Sequence, residues 1–290
     1  MIYEVECWSR WLLHTRFRGP HGKEALDFLA AIRDRVLDRA QLRPGDYVLD
    51  VGSGDGLLAF GALHRVGPSG LVVVDDISQD VLDECARVAL TAGVVNRMKF
   101  VRNSATSLSD VPDGSIDAVL TRSVLMYVQD KQAAAAEFRR VLRPGGRISL
   151  FEPISRIKVD RHRFGINPGP IAELAERVEA AFRLAQLPET DSMLDYDERD
   201  LLRLFGEAGF SRLDLELHIK SRCDRRDSQW FDAMLSRQAN PRLPSLQEAI
   251  TSALTADEAA AYIAYYRQAV ATVGVTTREA FVYLSGNMGS

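Results

Sequence analysis

The chain has 290 residues, 46% of them apolar and 26% charged, with a formal net charge of −4. That is the composition of a soluble globular protein long enough to bury a large core without disulfides or metals. The weakly acidic balance excludes a global electrostatic footprint for nucleic acid or an anionic membrane, and no run approaches the roughly 18 apolar residues of a membrane span.

Taken in order, the chain opens on an aromatic segment up to about residue 22. There Trp8, Trp11 and Leu12 share one helical face, and Gly19, Pro20 and Gly22 break the chain. Its start, MIYEVECWSR, does not read as a signal peptide. Residues 24–40 predict a helix, closed by the Pro44-Gly45 turn. Strands and helices then alternate: strand 46–51, helix 57–66, strand 71–76, helix 79–92 with Ser78 as its N-cap, strand 99–103, strand 115–121, helix 131–142 and strand 147–152. The turn Arg143-Pro144-Gly145-Gly146 precedes the last of these. This register predicts a Rossmann-like, doubly wound and mostly parallel α/β sheet. It covers 23–153 and resumes at 197–220 (a helix, then strand 212–219) and at 277–290 (strand 278–285). Two segments, 154–196 and 221–276, read as helical insertions that could roof the strand ends. The first carries an amphipathic helix at about 170–186. The second starts polar and then becomes helical at 245–254 and 257–273.

Cys7, Cys85 and Cys223 are scattered, with no zinc spacing. They are expected to be reduced thiols of a cytoplasmic protein, and no metal is expected.

The chemistry concentrates in VLDVGSGDG, residues 48–56. Gly52, Gly54 and Gly56 follow a strand and open a helix, a place for close backbone approach to a ligand. The dinucleotide fingerprint would need glycine where Leu57 stands, and a P-loop would need Gly-Lys-Ser/Thr. Asp50 and Asp55 flank the turn and would repel a pyrophosphate. N–H groups at the helix start suit a carboxylate, and the acids suit an ammonium, so the turn favours a zwitterion. Asp76 lies 20 residues beyond Gly56, at the end of the second strand, where a carboxylate can accept bonds from two ribose hydroxyls. Asp75 alternates to the other side of that strand.

These stretches, with FVRNSATSL, VPDGSIDAVLTRSVLMYV and EFRRVLRPGGRISLFEP, resemble the class I S-adenosylmethionine-dependent methyltransferases, above all the ubiquinone/menaquinone-biosynthesis type of small-molecule enzyme. The resemblance covers 45–153 well and 197–220 loosely. It implies a seven-stranded sheet with an antiparallel last strand, S-adenosylmethionine as cofactor and S-adenosylhomocysteine as product. It places Asp50, Gly52, Ser53, Gly54, Asp55 and Gly56 around the methionine moiety, Asp76 on the ribose and Ile77 against the adenine. Ser104 and Ala105 would meet the adenine amino group, although the family usually has an acidic residue where this chain has Ser104. Thr121 and Arg122 would lie beside the methionine amino end and the methyl.

Methyl transfer needs a base only if the acceptor must lose a proton, so catalytic candidates stay open among His14, His162 and Glu152. Substrate contacts are expected from Trp11, Arg122, Tyr127, Glu152, His162 and Arg163. For Glu152 a structural role, a capped strand end, stands beside substrate contact. The partner expected is a small-molecule, natural-product or lipid-like methyl acceptor, with no nucleic acid; the oligomeric state stays open, a homodimer among the options. RNA or protein methylation, cyclisation or aminocarboxypropyl transfer on the same scaffold, a nicotinamide oxidoreductase and a non-catalytic binding protein are the competing readings.

Overall fold

The computed structural model describes residues 23–158, 162–185, 191–238 and 243–289. They form two compact units. The first takes the residues up to Ile154, Tyr196–Leu217 and Phe281 onwards; the second takes Ser155–Asp195 and His218–Ala280.

The first unit begins with helix α1 (Lys23–Arg39) and continues β1 (Tyr47–Val51), α2 (Leu57–Val66), β2 (Leu71–Asp75), α3 (Gln79–Thr91), β3 (Met98–Val101), β4 (Ile116–Arg122), α4 (Lys131–Val141) and β5 (Leu142–Pro153). Helix α7 (Glu198–Glu207) then leads into β6 (Phe210–Asp224), and β7 (Val275–Met288) closes the chain. The strands form one seven-stranded sheet in the order β3-β2-β1-β4-β5-β7-β6. The first five are parallel, and β7 runs antiparallel to β5. This is the Rossmann-like sheet that the sequence predicts.

Strand β2 explains the layering. Val72, Val73 and Val74 are all buried, as a parallel strand covered on both faces requires. Val48, Val72, Val74, Ala118 and Leu120 join Ile32, Val36, Leu58, Ala62 and Leu82 in one core. The alternate residues Leu49, Val73 and Val119 point the other way. Phe138 of α4 stacks on Phe205 of α7, with ring centroids 6.5 Å apart. Ser78 caps α3 as expected, its side chain accepting the Val81 N–H. Arg147 and Asp46 form a buried ion pair at 2.6 Å that ties β5 to the entry of β1.

Three local expectations change. The turn at 143–146 lies within β5: the pairing with β4 jumps from Ile116↔Leu142 to Ala118↔Arg147, so the Pro-Gly-Gly run bulges out of the ladder. Strand β6 runs to Asp224, past the expected end at 219, and a helix, α8 (Ser228–Ser236), follows where a polar stretch was expected. Asp227 starts α8 by accepting the Trp230 N–H at 2.8 Å.

The second unit contains α5 (Ser155–Lys158), α6 (Ala172–Ala185), α8, α9 (Leu246–Ala253) and α10 (Ala256–Thr272). Its core gathers Val178, Phe231, Ile250, Tyr262, Tyr266 and Val270. Ser245 with Glu248, and Thr255 with Glu258, form reciprocal capping boxes that start α9 and α10. Among the described residues no helix is long and apolar enough to cross a membrane, and no group of three or more His, Cys, Asp or Glu is placed to hold a metal ion.

Candidate active site

The glycine turn leaves the carboxyl end of β1, the end at which open α/β sheets bind ligands. Gly52, Gly54 and Gly56 all have positive φ, at 64°, 55° and 76°. The surroundings show what two of them are for. A Cβ on Gly52 would lie 2.4 Å from Val124 Cγ2, and one on Gly56 would lie 2.6 Å from the Phe60 ring. At these two positions the missing side chain admits protein neighbours, which refines the expectation of close approach to a ligand. The turn is pinned further by the Ser53 N–H donating to the Asp75 carbonyl (2.9 Å) and by the Cys85 thiol donating to the Gly54 carbonyl (3.1 Å). Burial pushes the Cys85 thiol up to about 12.

Three carboxylates surround the turn. Asp50 is buried and accepts the Ala59 N–H at 2.9 Å. Its burial raises it to about 8, against the opposing pull of that N–H and of Arg122. Asp55 accepts the Leu57 N–H at 3.3 Å and faces the Arg122 guanidinium at 3.8 Å. Two N–H groups of the first turn of α2, those of Leu57 and Ala59, are therefore already engaged by carboxylates of the chain. Asp76 is buried and accepts from Gly54 N–H and Ser78 N–H, both at 3.0 Å. Burial raises its carboxyl. Ile77 beside it is a large apolar side chain that is 45% exposed.

On the other side of β2, Asp75 accepts the Asn103 side-chain N–H at 3.0 Å, and Asn103 Oδ1 accepts from Ser109 Oγ at 3.1 Å. This clasp holds the loop after β3; burial raises Asp75 to about 7. Within that loop Ser104 Oγ is 2.9 Å from Thr106 Oγ1, and Ala105 is buried. Sequence reasoning missed the clasp, although an Asn two residues past a strand end was its visible signal.

Thr121 and Arg122 end β4, with Thr121 in register with Val51. Ser123 follows with φ 57°, a strained conformation for a non-glycine residue. Tyr127, half-buried, closes the 3₁₀ turn Leu125–Tyr127. Glu152 has no exposed surface and accepts the N–H groups of Val124, Leu125 and Met126 at 2.8, 2.9 and 3.3 Å. Burial raises its carboxyl to about 7, with those N–H groups and Lys131 pulling the other way. His162 and Arg163 belong to the second unit, where Arg163 pairs with Glu179 at 2.7 Å and lies over the Phe182 ring. Trp11 and His14 lie outside the described residues.

Three buried polar atoms in this region have no hydrogen-bond partner: Ser53 Oγ, Asp75 Oδ2 and Thr121 Oγ1. Buried polar groups are normally satisfied, so this set fits a polar ligand at the end of β1.

Residues 49–150 match the family described as a methyltransferase domain. The ubiquinone/menaquinone biosynthesis C-methyltransferase UbiE of Xanthomonas campestris is 33% identical over 181 residues, which covers 60% of this chain and 69% of that protein. The chain belongs to the class I S-adenosylmethionine-dependent methyltransferases. The cofactor of this methyltransferase is S-adenosylmethionine. Nocamycin O-methyltransferase of Saccharothrix syringae is 34% identical over 49% of the chain, which spans about half of that relative's length (50%). A solved structure from Bacillus halodurans aligns at a TM-score of 0.55 and 17% identity over 90% of this chain and all of that one. The [4+2]-cyclase SpnF aligns at 0.57 and 20% over 99% and 96%. These structures share the fold with this methyltransferase.

Proposed function

We propose that this methyltransferase transfers a methyl group to a small-molecule acceptor, of natural-product or lipid-like kind. The observation that carries the donor side of this reading is the glycine turn with its acidic neighbours and Asp76 at the adjacent strand end. The relatives support it, since one is an O-methyltransferase for nocamycin and the other a C-methyltransferase of quinone biosynthesis.

When bound, the donor supplies an electrophilic methyl on a sulfonium. The chain's residues bind and orient it. Asp76 keeps lone pairs for the ribose hydroxyls beyond its two backbone N–H bonds. Ile77 offers an apolar face to the adenine, with Ser104 and Ala105 at its edge. The charged pair Asp55 and Arg122, with the buried Asp50 carboxyl beside them, suits the ammonium and carboxylate of the methionine end, and Ser53 and Thr121 offer their buried hydroxyls. Much of the acceleration comes from holding the acceptor in line and dry. Tyr127 and Arg122 are the candidate acceptor contacts of the first unit. A cleft of about 620 Å³ opens beside the turn, between Leu37 of α1 and Asp55, Leu57 and Phe60. Leu37, Leu57 and Phe60 are its apolar lining, and Arg33, Asp34, Asp55, His64 and Arg65 its polar lining.

Incubation with methyl-labelled donor and fractionated metabolite extract tests the proposal. Label is expected in small organic-soluble products. Label confined to RNA or protein overturns the acceptor class.

A further inference from the structure

Glu152 sits at the carboxyl end of β5, fully buried, with both oxygens turned to backbone. Oε1 accepts from the Val124 and Leu125 N–H groups and Oε2 from that of Met126. These N–H groups start the 3₁₀ turn Leu125–Tyr127, which has no side-chain cap of its own. Helix starts leave such donors without partners, so a carboxylate from another strand serves as the cap.

The segment it holds reaches the donor site at two points. Val124 is seated over Gly52, close enough that a Cβ there would clash at 2.4 Å. Arg122, just before the bend, faces Asp55 at 3.8 Å. Between them Ser123 is held at φ 57°, its N–H donating to the Phe151 carbonyl at 2.8 Å. A left-handed non-glycine residue persists only where its surroundings over-determine it. The charged group facing Glu152 is Lys131 of α4. Its ammonium donates to the Val128 carbonyl at 2.9 Å and lies 4.9 Å from the Tyr196 ring centroid. Tyr196 in turn donates to the Pro153 carbonyl at 2.7 Å.

We propose that Glu152 is a positioning residue for the methyl-donor site: it holds the Ser123–Met126 backbone, and so seats Val124 on Gly52 and Arg122 beside Asp55, while touching neither donor nor acceptor. The proposal rests on the donor binding at the glycine turn. Only the ionised carboxylate accepts all three N–H bonds, because protonation sets an O–H against a donor. Donor affinity that depends on Glu152 is therefore full at high pH and is lost as the pH falls through its ionisation.

The test is calorimetric titration of S-adenosylhomocysteine into wild type and Glu152→Gln from about pH 6 to 8.5. The raised carboxyls of Asp50, Asp75 and Asp76 are present in both proteins, so the difference between the two profiles isolates Glu152. At the alkaline end the variant is expected to bind about tenfold or more weakly, and the gap closes toward the acid end. Equal affinities, or a gap that does not change with pH, overturn the proposal. If the variant does not fold, wild-type NMR decides. The amide protons of Val124, Leu125 and Met126 should titrate with one midpoint shared with S-adenosylhomocysteine affinity; amides that stay still across the range overturn it. A wild type that binds no S-adenosylhomocysteine at any pH overturns the donor-site reading itself.

Discussion

Replacing Gly52 by alanine introduces two separable penalties. The first is conformational: φ is 64°, and an L-residue held in the left-handed region costs about 1–2 kcal/mol. The second is steric: the new Cβ falls 2.4 Å from Val124 Cγ2 and 3.2 Å from Cγ1, and overpacking of this kind costs about 1–3 kcal/mol. The sum, about 2–5 kcal/mol, corresponds to a fall in melting temperature of roughly 4–20 °C. The second penalty belongs to Val124, so it should vanish in Gly52→Ala/Val124→Ala while the first remains. Thermal and denaturant unfolding of the two single variants and the double variant form a cycle. The double variant should be about 1–3 kcal/mol more stable than the sum of the single losses implies. Additivity within about 0.5 kcal/mol would refute the seating of Val124 on Gly52.

Asp76→Ala should abolish the thermal stabilisation that S-adenosylhomocysteine gives the wild type; unchanged stabilisation removes Asp76 from the ribose. Asp50 has a folded-state carboxyl raised to about 8 from 3.8, so between those values the folded protein binds more protons than the unfolded chain, and its stability falls as pH rises. Asp50→Asn should flatten that decline in melting curves across the window, and an unchanged slope would contradict it. Cys85 is buried and its thiol is raised, whereas Cys223 is exposed. Iodoacetamide should therefore label Cys223 long before Cys85 in the folded protein, read by peptide mass spectrometry.

The sheet was legible in the sequence because its strands are covered on both faces and read as unbroken apolar runs, as at 71–74. Boundaries failed where that signal fades. Strand β6 continues into KSRCD, whose side chains are exposed, and exposure erases the alternation that marks a strand. Helix α8 hid behind the same charges, although Asp227 with Trp230 and Phe231 carried a start signal. At the site, the strand-end residues could be read from the glycine spacing and the resemblance. The contacts between distant segments could not. Val124 over Gly52, Asn103 on Asp75 and Glu152 under Val124–Met126 join positions from 26 to 72 residues apart, and no local pattern encodes such pairings. Glu152 illustrates the difference: in the sequence a capped strand end and a substrate contact stand side by side, and the three backbone N–H groups on its oxygens are seen only in the structure.

The first unit is assembled from three separated stretches of chain, and β5 meets β7 in pairs such as Pro153↔Phe281, 128 residues apart (281 minus 153). Loop closure of that length must precede any gain from the pairing, and such non-local contacts slow folding. The five parallel strands β3-β2-β1-β4-β5 lie within 47–153 and can associate earlier, which leaves the β5 edge open until β7 arrives. During synthesis, when domains fold as they emerge, that edge is the surface on which a nascent chain would stick to others. A chaperone that shields a bare parallel edge would therefore matter more to the yield of this enzyme than to its final stability.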